Sequence, residues 1–212
     1  MVKKPEIIEI FSRFRENKPS PKIELNYINP YTLLVAVILS AQSTDKGVNK
    51  VTDKLFSIVT NPSEMLDLGE DGLKDMIKTI GLYNSKASNI IRMSQILIDK
   101  FESQVPDNYD DLCSLPGVGS KSANVMLNSI FGHPTIAVDT HVFRVSNRIG
   151  LCKTKTPIET EKKLPSVIPD EFKHLAHHWL VLHGRYVCVA RSPKCAQCII
   201  RDICKFKNKN SS

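Results

Sequence analysis

The chain has 212 residues, 42% of them hydrophobic, which suits one large domain or two small ones and argues against wholesale disorder. Its formal charge of +7 fits a polyanionic partner, nucleic acid first, and fits equally a basic protein with no such partner. The longest apolar run, Leu33 to Leu39, is too short to span a bilayer, and Met1-Val2-Lys3-Lys4-Pro5 opens no signal peptide, so a soluble cytosolic protein with reduced cysteines is expected.

No segment alternates with a period of two, whereas helical spacing recurs, so the predicted class is all-α with short connections. The residues before Asn29 give no defined element. Asn29-Pro30 reads as an N-cap followed by proline at the first helical position, opening a helix that is apolar nearly all round to Ala41. Val48, Val51, Leu55, Ile58 and Val59 mark the core face of the next. Asn61-Pro62-Ser63-Glu64 resembles a capping box, and Leu73, Ile77 and Ile80 lead to Gly81 as a C-cap. Ala87, Ile90, Ile91, Ser94, Leu97, Ile98 and Phe101 form one long stripe. Further helices are predicted over 109–114, 120–131, 139–149, 157–167 and 170–183, and the tail from Lys205 to Ser212 reads as frayed.

Leu115-Pro116-Gly117-Val118-Gly119-Ser120-Lys121 joins two of these helices. Its glycines let backbone N–H groups approach a phosphate oxygen, with the positive end of the next helix dipole behind them. An ordinary helix–turn–helix corner is the alternative. Ala123, Met126, Leu127, Ile130 and Phe131 share one face of the following helix, and Lys121, Asn124 and Asn128 are predicted to lie away from it on a polar face. A lysine there binds phosphate or acts as a nucleophile. The helix dipole disfavours a cation in the first turn, and a neutral amine can attack a sugar carbon to form a Schiff base.

Asp139 opens the next helix and is well placed as its N-cap, a role compatible with presenting a second oxygen to a substrate. A tight ion pair with Asp139 would hold Lys121 charged, so a gap or a bridging water between them is expected. Near the C-terminus, Cys188, Cys195, Cys198 and Cys204 are spaced C-x6-C-x2-C-x5-C, a pattern for a tetrahedral zinc or a four-iron cluster. Between the first two, Arg191 and Lys194 either follow a DNA backbone or decorate a solvated loop. His174, His177, His178 and His183 lie along a helix with a core stripe and read as packing residues rather than ligands.

Together, the hairpin ending in Lys121, the segment Val138-Asp139-Thr140-His141 and the four-cysteine ending closely resemble the endonuclease III family of bifunctional DNA glycosylase/AP lyases. The likeness continues through 39–45, 81–87 and 177–186 and covers nearly the whole chain in order. The resemblance implies two helical domains flanking a DNA-binding cleft. One is a six-helix barrel over 22–132, with the helix–hairpin–helix at about 109–131. The other, from 1–21 and 133–212, holds a [4Fe-4S] cluster in the loop 188–204. It further implies a monomer, in the cytoplasm of a bacterium at the nucleoid. The implied partner is duplex DNA carrying oxidised pyrimidines or abasic sites. Lys121 would attack C1′ of a flipped-out nucleotide and Asp139 would assist. Gly117, Val118 and Gly119 would contact the backbone, Gln42 and Leu82 would fill and wedge the emptied stack, and His141 would lie near the pocket mouth. Ser120 and His133 depart from the arginine and tryptophan of the best-known members. The adenine-removing branch of the same fold usually lacks a lysine at position 121.

Overall fold

The computed structural model describes residues 1–210, which form ten α-helices and one turn of 3-10 helix. In chain order they are α1 (Lys4–Asn17), α2 (Pro30–Ser40), α3 (Asp45–Leu55), α4 (Pro62–Ile77), α5 (Tyr83–Phe101), α6 (Tyr109–Ser114), α7 (Ser120–Ser129), α8 (Thr140–Ile149), α9 (Pro157–Val167) and α10 (Asp170–Tyr186), with the 3-10 turn at Cys195–Gln197. The chain divides into two compact units, Glu24–Phe131 and a discontinuous unit made of Met1–Ile23 with Gly132–Ser212. No strand occurs among the described residues, as the missing two-residue period predicts.

The continuous unit holds α2 to α7. The Asn29 side chain accepts the Thr32 N–H at 2.9 Å, so α2 starts where the Asn-Pro signal places it. Every residue from Tyr31 to Leu39 is buried, which makes α2 the central helix of this unit. At the start of α4, Asn61 Oδ1 accepts from the Glu64 N–H at 3.0 Å, but the Glu64 carboxylate turns back to the Thr60 N–H at 2.6 Å. The cap is thus shared by two residues.

Three expectations for α3, α4 and α5 change. Ile58 is 56% exposed, because α3 ends at Leu55 and the helical spacing no longer applies beyond it. Gly81 is not the cap of α4, which stops at Ile77 with Lys78 following. On α5 the buried face is Lys86, Ala87, Ile90, Met93, Ser94 and Leu97, while Ile91, Ile98 and Phe101 are only half-buried.

The discontinuous unit joins α1 to α8, α9 and α10. Helix α1 has no counterpart in the sequence reading, although Ile7, Ile10, Phe11 and Phe14 bury one face at helical spacing. The Glu6 carboxylate caps it by accepting the Lys3 N–H at 2.6 Å. Phe11 stacks on Phe172 with ring centroids 5.6 Å apart, and Trp179 Nε1 donates to the Lys18 carbonyl at 2.8 Å. The first segment of the chain is thereby fastened to α10. The tail is likewise fastened as far as it is described. Lys205 N–H donates to the Ile149 carbonyl at 3.1 Å, and the Arg148 guanidinium lies 4.7 Å from the Phe206 ring centroid. The frayed tail expected from composition therefore does not hold over 205–210, and Ser211 and Ser212 lie outside the described residues.

Candidate functional site: a glycine hairpin, a capped carboxylate and a cysteine loop

Between α6 and α7 the Val118 N–H donates to the Leu115 carbonyl at 3.1 Å across Pro116 and Gly117. Gly117 has φ +83, and with proline before it the segment has the pattern of a type II turn. A Cβ on Gly117 would also lie 3.2 Å from Asn89 Cβ and 3.3 Å from Ile38 Cγ2. The fold itself therefore requires this glycine. Gly119 differs. It is the N-cap of α7 with φ −103 and ψ 179, and a Cβ there would meet nothing within 4 Å. It contributes no side-chain cap, and it is exposed together with Ser120 and Lys121. Val118, by contrast, turns inward and is buried. Lys121 stands in the first turn of α7, on the exposed side. Asn124 and Asn128 do not share that face: both are buried, so the polar face predicted for α7 is limited to its first turn.

Asp139 is the N-cap of α8. Its Oδ1 accepts from the His141 N–H at 2.9 Å and the Val142 N–H at 2.8 Å, so a single oxygen carries the whole cap. The segment leading to it is pinned by His177, whose Nδ1 lies 3.0 Å from the Ala137 carbonyl oxygen. His141, half-buried in the first turn of α8, has its Nδ1 3.2 Å from an Arg144 nitrogen.

Helix α8 also holds the cysteine segment, through two residues the sequence reading gave no role. Arg144 donates to the Cys188 carbonyl at 3.0 Å and the Gly184 carbonyl at 2.8 Å. Arg148 donates to the Val189 carbonyl at 2.7 Å and the Ala190 carbonyl at 2.9 Å, with one nitrogen 3.7 Å from Cys188 Sγ. Their i, i+4 spacing on one face of α8 is the signal that could have found them. Beyond these anchors Arg191 and Lys194 are exposed on the loop.

The donor set suits a multi-iron cluster. Burial pushes the Cys198 thiol up to about 11, and the neighbouring Cys204, Cys188 and Cys195 raise it further, against one backbone hydrogen bond. Cys204 is raised by burial too, with Cys188 and Cys195 adding to it. Four thiolates gathered this way need positive charge among them. Cys188, Cys195, Cys198 and Cys204 would supply one thiolate to each iron of a four-iron cluster. Three of the four histidines of α10 pack inward, whereas His174 is exposed. His177, His178 and His183 are buried, and burial pushes His178 and His183 down to about 4, with charge on His174 adding to the effect at His178. His183 Nε2 lies 3.8 Å from Cys198 Sγ, so it packs beside the cysteine segment.

Two exposed loop residues complete the picture. Gln42 follows α2 with φ 55, and Leu82 precedes α5 with φ 60 and 59% of its surface exposed. Left-handed backbone at a non-glycine residue costs roughly 1–2 kcal/mol, and leucine gains no local hydrogen bond to offset it.

Residues 35–170 match the model of the HhH-GPD superfamily base excision DNA repair proteins. The chain belongs to that superfamily, the helix–hairpin–helix class that the glycine hairpin and the all-helical fold define. Residues 188–204 match the iron–sulfur binding domain of endonuclease III. The chain is 57% identical to endonuclease III of Haemophilus influenzae and 54% identical to that of Escherichia coli, in both cases covering 97% of this chain and 98% of the relative. It therefore belongs to the endonuclease III family, whose activity is that of a DNA glycosylase and AP lyase and whose cofactor is a [4Fe-4S] cluster. A solved structure of a trapped endonuclease III–DNA covalent intermediate superposes with a TM-score of 0.89 at 43% identity, over 97% of each chain. A thermostable thymine-DNA glycosylase, 22% identical with a TM-score of 0.83, shares the fold.

Proposed function

We propose that this protein removes oxidised pyrimidines from duplex DNA and then cuts the strand on the 3′ side of the abasic site, with Lys121 as nucleophile. The observation that carries the reading is the setting of Lys121. It is exposed in the first turn of α7, directly after a glycine hairpin whose second glycine leaves open space at the helix N-terminus. That space admits a phosphate, and the amine then stands beside the sugar of the gripped strand. The target nucleotide is rotated out of the stack, because C1′ is not reachable within it.

The chemistry balances as follows. The Lys121 nitrogen forms a bond to C1′ as the C1′–N bond to the base breaks, and the base leaves with that electron pair and takes up a proton. The sugar ring opens to a Schiff base. Loss of a C2′ proton then expels the 3′ phosphate and cuts the strand, and water releases the lysine. Asp139 accepts the Lys121 proton and stabilises positive charge on the sugar through the oxygen its cap does not use. Gly117, Val118 and Gly119 hold the backbone, with Arg191 and Lys194 of the cysteine loop as further phosphate contacts. His141 borders the pocket, and Gln42 and Leu82 occupy the space the flipped nucleotide leaves. Cys188, Cys195, Cys198 and Cys204 would hold the cluster, which would fix the shape of the loop that carries them. The protein acts as a monomer in the bacterial cytoplasm, at the nucleoid.

The test uses a duplex with one oxidised pyrimidine. The wild-type protein is expected to release the free base and cut the strand, and Lys121→Ala to do neither. Full strand cutting by Lys121→Ala would refute the assignment.

A further inference from the structure

Gln42 and Leu82 sit in two loops 40 residues apart in sequence, both in left-handed backbone. Such conformations persist only where the surroundings impose them. The surroundings here converge on Lys86. Its side chain runs inward from the first turn of α5 and is 5% exposed. Its Nζ donates to the Leu39 carbonyl at 2.8 Å, the Ala41 carbonyl at 2.6 Å and Ser43 Oγ at 3.2 Å. An ammonium has three donors, and all three find acceptors. The acceptors flank Gln42 on both sides, and two of them are carbonyls at the negative end of α2, where a cation is favoured. The same lysine lies in the first turn of the helix that Leu82 caps: its N–H donates to the Leu82 carbonyl at 3.0 Å, the first bond of α5. Gly81 lies alongside, where a Cβ would approach the Gln42 carbonyl oxygen at 3.9 Å.

We propose that Lys86 is a positioning residue for base extrusion, its buried ammonium holding the Gln42 and Leu82 loops together as one rigid two-pronged wedge. The inference rests on the reading of Gln42 and Leu82 as the residues that enter the emptied stack. Burial holds the Lys86 amine below the usual lysine range, which is the expected cost of a cation kept in the interior for its geometry. Nothing in the base-release or strand-cutting steps calls on it.

The test compares two substrates with the full-length, cluster-containing protein. One is a fully paired duplex with a single oxidised pyrimidine. The other carries the same lesion in a bulge, where the stack is already open. Lys86→Met keeps the length of the side chain and removes the charge and donors. Base release in a single turnover should fall about tenfold on the paired duplex, about 1.4 kcal/mol in the barrier, and within about twofold on the bulge. Leu82→Ala serves as the comparator for the wedge. Ser43→Ala removes one acceptor and should move the same ratio in the same direction. If Lys86→Met does not fold, Ser43→Ala decides, and an unchanged ratio overturns the inference. Equal slowing on both substrates marks Lys86 as merely structural and overturns it. A changed ratio in Leu82→Ala without one in Lys86→Met overturns the inference and leaves the wedge standing. No changed ratio in Leu82→Ala removes the wedge and the inference with it.

Discussion

Asp139 shows how one side chain carries two demands. Read from sequence, the helix cap and the chemical role are compatible, one oxygen serving each. In the structure the cap uses Oδ1 alone, for two N–H groups at 2.9 and 2.8 Å. The two demands therefore separate by substitution. Asp139→Asn retains a good cap and loses the charge. It should melt close to the wild-type temperature while base release slows by about a hundredfold, the order found when one electrostatic contact to a transition state is removed. Asp139→Ala should lose about 1 kcal/mol of stability as well. Thermal melting and single-turnover base release measure the two effects independently, and an Asp139→Asn rate equal to wild type would remove the charge from the mechanism. Lys86 was not legible at this scale. A lysine beside Ala87 at the start of an amphipathic helix reads as a solvated residue, because lysine is almost never fully buried. Its partners are backbone and hydroxyl oxygens 43 to 47 residues away, which leave no mark in the sequence.

At the scale of elements, the hairpin separates fold from function within three residues. Gly117 is required by its positive φ and by Asn89 and Ile38 packed against it, whereas Gly119 has ordinary backbone and open space. Gly117→Ala should destabilise the protein by about 2 kcal/mol or more, since strain and crowding add. Gly119→Ala should cost under about 1 kcal/mol, the loss of a favoured capping residue, yet weaken binding to duplex DNA because its methyl group occupies the space a phosphate would enter. Melting curves and DNA titrations distinguish the pair, and unchanged affinity in Gly119→Ala would put the grip elsewhere. Helix boundaries carried by strong local chemistry, such as Asn29-Pro30 for α2 and Asp139 for α8, were legible. Helix α1 was missed because charged residues dilute its apolar face, even though that face follows the helical period. The buried Asn124 and Asn128 were misplaced because periodicity ranks residues by polarity and cannot see which neighbours cover them. The described part of the tail was misread for a similar reason: Phe206 and Lys205 are anchored by Arg148 and Glu6, far away in sequence.

For the whole molecule, an ordered set of individually modest motifs along a single chain carried more than any one of them. Spacing alone left zinc and iron–sulfur open for the cysteines, and the match of 188–204 to an iron–sulfur binding domain decides for the cluster. On the proposed reading, positive charge, the hairpin, the carboxylate and the cysteine loop all serve one reaction on one polyanion. The central step proposed for it is a covalent bond from Lys121 to the sugar, and such a bond can be caught. A duplex containing an abasic site is incubated with the protein and treated with borohydride, which reduces a Schiff base to a stable amine. The expected product is a protein–DNA adduct in nearly stoichiometric yield, lost in Lys121→Ala and formed more slowly in Asp139→Asn. No adduct from the wild-type protein, or an undiminished adduct from Lys121→Ala, would contradict Lys121 as the nucleophile.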